Sequence, residues 1–183
     1  MTKIERRYWT FVVLWTAILY ATLPIARKLA NKIEGAGYKC VLNYGPIFLV
    51  AIAFVAALVY ILNGRYSHRL LRISCMVIAA FLYALFLKNL GKIPIERIHL
   101  MEYGILAILA KKASENRLGN LGSYLFSAVL TAMIGVGDEL IQKFLPDRVC
   151  DIRDMMTNAI SGALGLLFWA CVSQKPSDNS PSS

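Results

Sequence analysis

Charged side chains are scarce in this sequence. Asp, Glu, Lys and Arg make up 17% of its 183 residues, against about a quarter in a typical soluble domain. No charge interrupts residues 8–26 or 45–62, and Arg72 is the lone charge in 70–87. These runs approach the roughly 20 residues that carry a helix across a hydrocarbon core of about 30 Å. An ordinary soluble domain is therefore excluded, and an integral membrane protein is indicated.

Metal-binding patterns are also missing. The two histidines, His68 and His99, are far apart, and Cys40, Cys75, Cys150 and Cys171 form no C-x-x-C pair. A zinc site has no support. Cys75 and Cys171 fall in apolar runs and read as packing residues. Cys40 and Cys150 lie near helix ends, with their pairing left open. There is no Ser/His/Asp order, no phosphatase signature, no internal repeat and no second domain. The net charge of +9 does not indicate nucleic-acid binding. Its Lys and Arg residues sit in short loops beside apolar runs, as in "RKLANK" and "GRYSHR", where they anchor helix ends to headgroups and set topology.

The chain reads as an all-α, polytopic transmembrane bundle of six spans in a single domain over 1–173. Residues 8–26 form an uncleaved first span rather than a signal peptide, ending near Pro24. Runs 45–62, 70–87, 121–141 and 152–173 are further spans, with Arg72 placed to snorkel. The fourth, about 95–112, begins at Pro94, is short, and carries His99 and Glu102; a re-entrant helix is the alternative. The polar, Pro/Ser-rich residues 174–183 read as a disordered tail.

Polar residues collect where helices four to six end. His99 and Glu102 open helix four; Asp138, Glu139 and Gln142 close helix five; Asp151, Asp154 and Asn158 open helix six. If these helices alternate across the membrane, all three ends reach one depth. Spacings of three and four put His99 with Glu102, and Asp138 and Glu139 with Gln142, on shared faces. Small residues continue both stripes, through Gly135, Thr131 and Ser127 on helix five and Gly162 and Gly165 on helix six. Close-packed stripes of this kind face another helix rather than lipid.

A charged carboxylate at the bilayer centre costs at least about 2.5–3.5 kcal/mol on insertion scales, so buried acids need partners, water or a ligand. Arg97, Arg148 and Arg153 are the sequence-near candidates for pairing. Asp147 and Arg153 read as surface residues, and an acid at position 151 suits a helix N-terminus by itself. Glu102, Glu139 and Asp154 carry the functional expectation, with His99 as a proton shuttle.

The stretches "IPIERIHLMEYGILAIL" and "GVGDELIQKFLPDRVCDIRDMMTNAISGALG" resemble the VanZ-like family of membrane proteins over about 93–168. The matching positions are His99 and Tyr103; Glu139, Gln142, Pro146 and Arg148; and Asp154, Asn158 and Gly162. Asp147 stands where the family often has Gly, and residues 1–90 match only as generic spans. The resemblance implies a bacterial membrane protein of a family linked to teicoplanin (glycopeptide) resistance. It does not imply a reaction.

Two functions are carried forward. One is a non-catalytic module binding membrane lipid, a lipid-linked envelope precursor or a glycopeptide-related target, with Arg148, Gln142, Asn158, Tyr103 and Asp138 as binding groups. The other is an enzyme acting on a lipid or lipid phosphate, with Glu139, Glu102, His99 and Asp154 as candidate catalytic groups. In that case Glu139 or Glu102 is the general base, Arg148 clamps a phosphate or carboxylate, and the carboxylates can hold Mg²⁺. Proton-coupled transport is disfavoured, because helices one to three carry no acid inside. Lys and Arg divide ten to ten between the two sides. Setting aside Arg97, Arg148 and Arg153 as site residues puts both termini in the cytoplasm and the site outward in a bacterial inner membrane.

Overall fold

Gly119 organises the second half of the chain. The helix that starts at Pro94 and ends at Gln142 is interrupted there, at φ 67° and ψ −172°, a backbone conformation open to glycine and strained for residues with a Cβ. The two limbs fold back on each other. Tyr103 bonds Asp138, and Lys111 lies over the ring of Tyr124. Both pairs centre near residue 119, as an antiparallel hairpin requires.

The computed structural model describes residues 1–64, 68–90, 94–145 and 150–173, with side chains for all of these except 27 and 94–96. Its helices are α1 (Lys3–Gly35), α2 (Lys39–Asn63), α3 (Arg69–Asn89), α4 (94–118), α5 (120–142) and α6 (Ile152–Val172). Five helical stretches are long and apolar enough to cross a membrane, and the longest, Arg97–Gln142, contains both hairpin limbs. Each limb exceeds the roughly 20 residues a crossing needs. The result is a helical membrane bundle. The fourth helix extends past the expected 112 to residue 118, where Lys111 pairs with Glu115 and Lys112 lies over the rings of Tyr8 and Trp169. Lys111 Nζ lies 2.7 Å from Glu115 Oε1, one turn on.

Two expectations for the first half are corrected. Pro24 does not end the first helix, which runs on to Gly35. A proline removes one backbone bond, but within a bilayer no water competes for the rest, and prolines are tolerated inside spanning helices. Arg72 does not snorkel. It is 2% exposed and donates from Nη2 to the carbonyl of Val172 at 3.0 Å, supplying one of the carbonyls that the end of α6 leaves unpaired.

Helix ends show the expected capping. Thr2 and Glu5 form a reciprocal capping box at the start of α1. Asp151 caps α6 by accepting from the Arg153 backbone N–H at 2.8 Å.

Small residues bring α4, α5 and α6 together. A Cβ built on Gly135 would lie 2.8 Å from Asn158 Cβ, and one on Gly162 would lie 2.7 Å from Thr131 Cγ2. The α5 and α6 stripes therefore do face each other. Gly165 turns instead to α4, where an added Cβ would meet Gly104 backbone atoms at 2.5–2.9 Å. Helix α1 lies along this unit through Val12 and Leu19, packed with Tyr103, Leu106 and Ala110. Helices α2 and α3 contribute Ala57, Ile61, Met76 and Ala79, which close around Cys171 with Cys75 alongside. All four cysteines are free, so Cys40 and Cys150 do not pair. The tail, 174–183, lies outside the described residues.

Candidate polar groove

The hairpin and α6 bring the polar helix ends to one level. Asp138 is 1% exposed, accepting at Oδ2 from the Tyr103 hydroxyl at 2.8 Å and at Oδ1 from Gln142 Nε2 at 3.3 Å. Glu139, also 1% exposed, accepts from Gln142 Nε2 at 3.1 Å and from the backbone N–H of Asp151 at 3.2 Å. Gln142 thus bridges the two acids from about one turn further along α5. Glu139 ties the end of α5 to the start of α6.

On α4, His99 Nδ1 lies 3.2 Å from Glu102 Oε2, with side chains 16% and 26% exposed. The His99 ring stands 5.9 Å from that of Tyr103. Asp154 is half-buried at the start of α6. One turn on, Asn158 is 1% exposed, and among the described residues neither end of its side-chain amide has a hydrogen-bond partner. It packs against Gly135 beside Tyr103.

Some of these groups border a cavity and others do not. A groove of about 220 Å³ runs between α1 and the start of α4, and its polar lining is Thr22, His99, Glu102 and Asp138. Its apolar wall comes chiefly from α1, through Leu19, Leu23, Ala26, Leu29 and Ile33, with Leu42 and Ile98 opposite. At 1.5 Å per residue, the α1 wall from Leu19 to Ile33 extends about 21 Å. Glu139, Gln142, Asp154 and Asn158 are not among its lining residues. Their geometry supports the groove from behind.

The buried acids have little charge compensation. Among the described residues, no Lys or Arg lies within 4.0 Å of Asp138 or Glu139. Arg97 instead donates from Nη1 to the Asn43 carbonyl at 2.8 Å, joining α4 to α2. Arg148, with Pro146 and Asp147, lies outside the described residues. Among those described, no three His, Cys, Asp or Glu side chains gather closely enough to hold a metal ion.

The first helix is the part of this site that sequence reasoning missed. Trp15 Nε1 donates to the Glu102 carbonyl at 3.0 Å, and the Tyr20 hydroxyl donates to the Ile134 carbonyl at 2.9 Å. Both fix α1 against the hairpin beside the groove. The available signal was a Trp and a Tyr within an uncharged span, since each carries a donor that needs a partner in lipid.

Residues 92–173 match the family model described as VanZ/LLP1. Residues 92–173 are VanZ-like, within a helical membrane bundle. The matched region holds His99, Glu102, Asp138, Glu139, Gln142, Asp154 and Asn158, whereas the α1 wall, with Thr22, falls outside it. No curated protein and no solved structure matches the chain. The VanZ-like region therefore supplies the charged floor, and α1 supplies most of the apolar wall.

Proposed function

We propose that the groove between α1 and α4 binds an amphipathic molecule of the bacterial cell envelope: a membrane lipid, a lipid-linked precursor or a glycopeptide-related target. The observation that carries this reading is the pairing of an apolar wall along α1 with His99, Glu102 and Asp138 at its floor. Such a surface offers hydrocarbon one side and a polar group the other. A volume of about 220 Å³ is small beside typical ligand pockets of roughly 300–1,000 Å³. It suits the head and first carbons of a lipid whose remaining chain stays in the bilayer. The role fits an inner-membrane protein with cytoplasmic termini and an outward-facing site, acting on envelope composition or glycopeptide susceptibility.

A catalytic form of the same reading is favoured by one contact. His99 Nδ1 and Glu102 Oε2, 3.2 Å apart on the groove wall, are within reach of each other as a base and its orienting group, while Nδ1 makes no aligned hydrogen bond among the described residues. Glu139 is less suited to that role, because both its oxygens accept from Gln142 and the Asp151 backbone. Asp154 and Asn158 then act as support, and Arg148 as a headgroup contact.

The test compares Glu102→Gln, Asp138→Asn, Glu139→Gln and Arg148→Lys in cells, reading glycopeptide susceptibility and protein abundance together. Loss in Glu102→Gln and Asp138→Asn at normal abundance supports the groove. Full activity in all four variants removes it. Cysteine accessibility at position 147 in intact cells tests the orientation: labelling from outside is expected, and protection at 147 with labelling of the tail reverses it.

A further inference from the structure

Lys112, on α4 near the hairpin turn, is a cation set between two rings. Its ammonium lies 4.8 Å from the ring centre of Trp169 and 5.9 Å from that of Tyr8, so α6 and α1 hold it from two sides. Ring faces attract a cation but offer its N–H groups no oxygen. The described acids of this end are committed elsewhere, Glu115 to Lys111 at 2.7 Å and Glu5 to Arg117. Among the described residues no carboxylate lies within 4.0 Å of Lys112. The Trp169 indole N–H is buried and has no acceptor among them either. The full sequence keeps the same balance. Segments 1–12, 60–72, 111–124 and 169–183, which the helix order brings to this end, hold ten Lys and Arg against three Asp and Glu, Asp178 of the tail included.

An apolar groove leads toward that cation. It encloses about 150 Å³ between α2, α4 and α6, walled by Ala53 and Phe54, by Met101, Ile105 and Ile108, and by Phe168. Met101, Ile105, Ile108 and Lys112 recur at helical spacing and share one face of α4. Lys112 therefore stands one turn, about 5.4 Å, past the end of the groove. Tyr8, beside Lys112, and Tyr124, beside Lys111, lie at the same level, and aromatic side chains of this kind mark the headgroup boundary.

We propose that this end of the bundle holds a phospholipid of net negative charge, its phosphate on Lys112 and one acyl chain in the α2–α4 groove, filled by exchange with the surrounding leaflet. The site is separate from the His99 groove, which lies at the other end of α4. Basic pockets between spanning helices suit anionic headgroups. A choline head carries its own cation beside the phosphate, so Lys112 gains less from it. The turn between the groove and the ammonium leaves room for the linkage between chain and phosphate.

The experiment places the full chain in phosphatidylcholine nanodiscs that contain small, equal fractions of brominated phosphatidylglycerol or brominated phosphatidylcholine. It reads the tryptophan quenching that Trp169→Phe removes. Brominated phosphatidylglycerol is expected to bind roughly fivefold more tightly than its phosphatidylcholine counterpart. Lys112→Gln should abolish that preference, and Lys112→Arg should keep it. Lys3→Gln removes the same charge from an exposed position at this end and should leave the preference intact. Equal quenching by the two lipids in the unsubstituted protein overturns the proposal, whether or not a variant folds. Equal losses in Lys112→Gln and Lys3→Gln assign the effect to diffuse charge and overturn the site. Displacement by soluble glycerol phosphate assigns a free phosphate and overturns the lipid. A preference that emerges only in Asp178→Asn gives Lys112 to the tail carboxylate and overturns the lipid as well.

Discussion

The Tyr103 hydroxyl donates to Asp138 across the hairpin at 2.8 Å, with the tyrosine fully buried and the aspartate 1% exposed. This bond joins two residues 35 positions apart and fixes the floor of the groove. Tyr103→Phe removes the donor and keeps the ring. Leaving a buried acceptor short of a partner costs about 1–3 kcal/mol. A lower melting temperature in detergent is expected, together with weaker amphiphile binding. Unchanged values for both would show that Asp138 does not depend on this bond.

Gly165→Ala tests the close approach of α6 to α4. The new methyl would fall 2.5–2.9 Å from backbone atoms of Gly104, and backbone cannot rotate away as a side chain can. Overpacking of this kind costs about 1–3 kcal/mol. Thermal unfolding should show the loss, while Gly35→Ala, with no atom within 4 Å of the added carbon, serves as the neutral comparison.

The hairpin depends on Gly119 for a different reason. No neighbour lies within 4 Å of an added Cβ there, but the positive φ of 67° remains. A side chain held in that region, which is essentially open to glycine only, costs roughly 1–3 kcal/mol. Gly119→Ala and Gly119→Asn are both expected to destabilise by about that much. Equal melting temperatures for all three would argue that the turn relaxes without loss.

Reducing agent should leave the fold untouched. Cys40 and Cys150 are both unpaired, so the melting temperature with and without dithiothreitol is expected to agree, and mass spectrometry after alkylation should count four modified thiols. A two-thiol result would place a disulfide that the structure does not contain.

Much of this arrangement was legible from hydropathy and spacing. Uncharged runs at 8–26 and 45–62 could only be satisfied as buried or lipid-facing helices. The i,i+3 and i,i+4 spacings of His99, Glu102, Asp138, Glu139 and Gln142 put their side chains on common faces before any contact was known. The groove itself was not legible. Its wall comes from α1 residues such as Leu23 and Leu29, whose lipid-like character is identical whether they face hydrocarbon or a neighbouring α4. The fate of Arg72 was hidden for a related reason. An arginine near a span end satisfies itself equally well in headgroups or on the last carbonyls of α6, and tertiary packing decides between them. Pro24 misled because a rule learned in water overstates its power to stop a helix in lipid.

The central claim is that the α1–α4 groove holds an amphiphile with its polar end on His99, Glu102 and Asp138. Native mass spectrometry of the protein purified in mild detergent tests this most directly. The account predicts one retained lipid-sized molecule on the wild type, lost when Leu23→Trp fills the groove and weakened in Glu102→Gln. A bare wild-type protein, or the same adduct on all three, would contradict it.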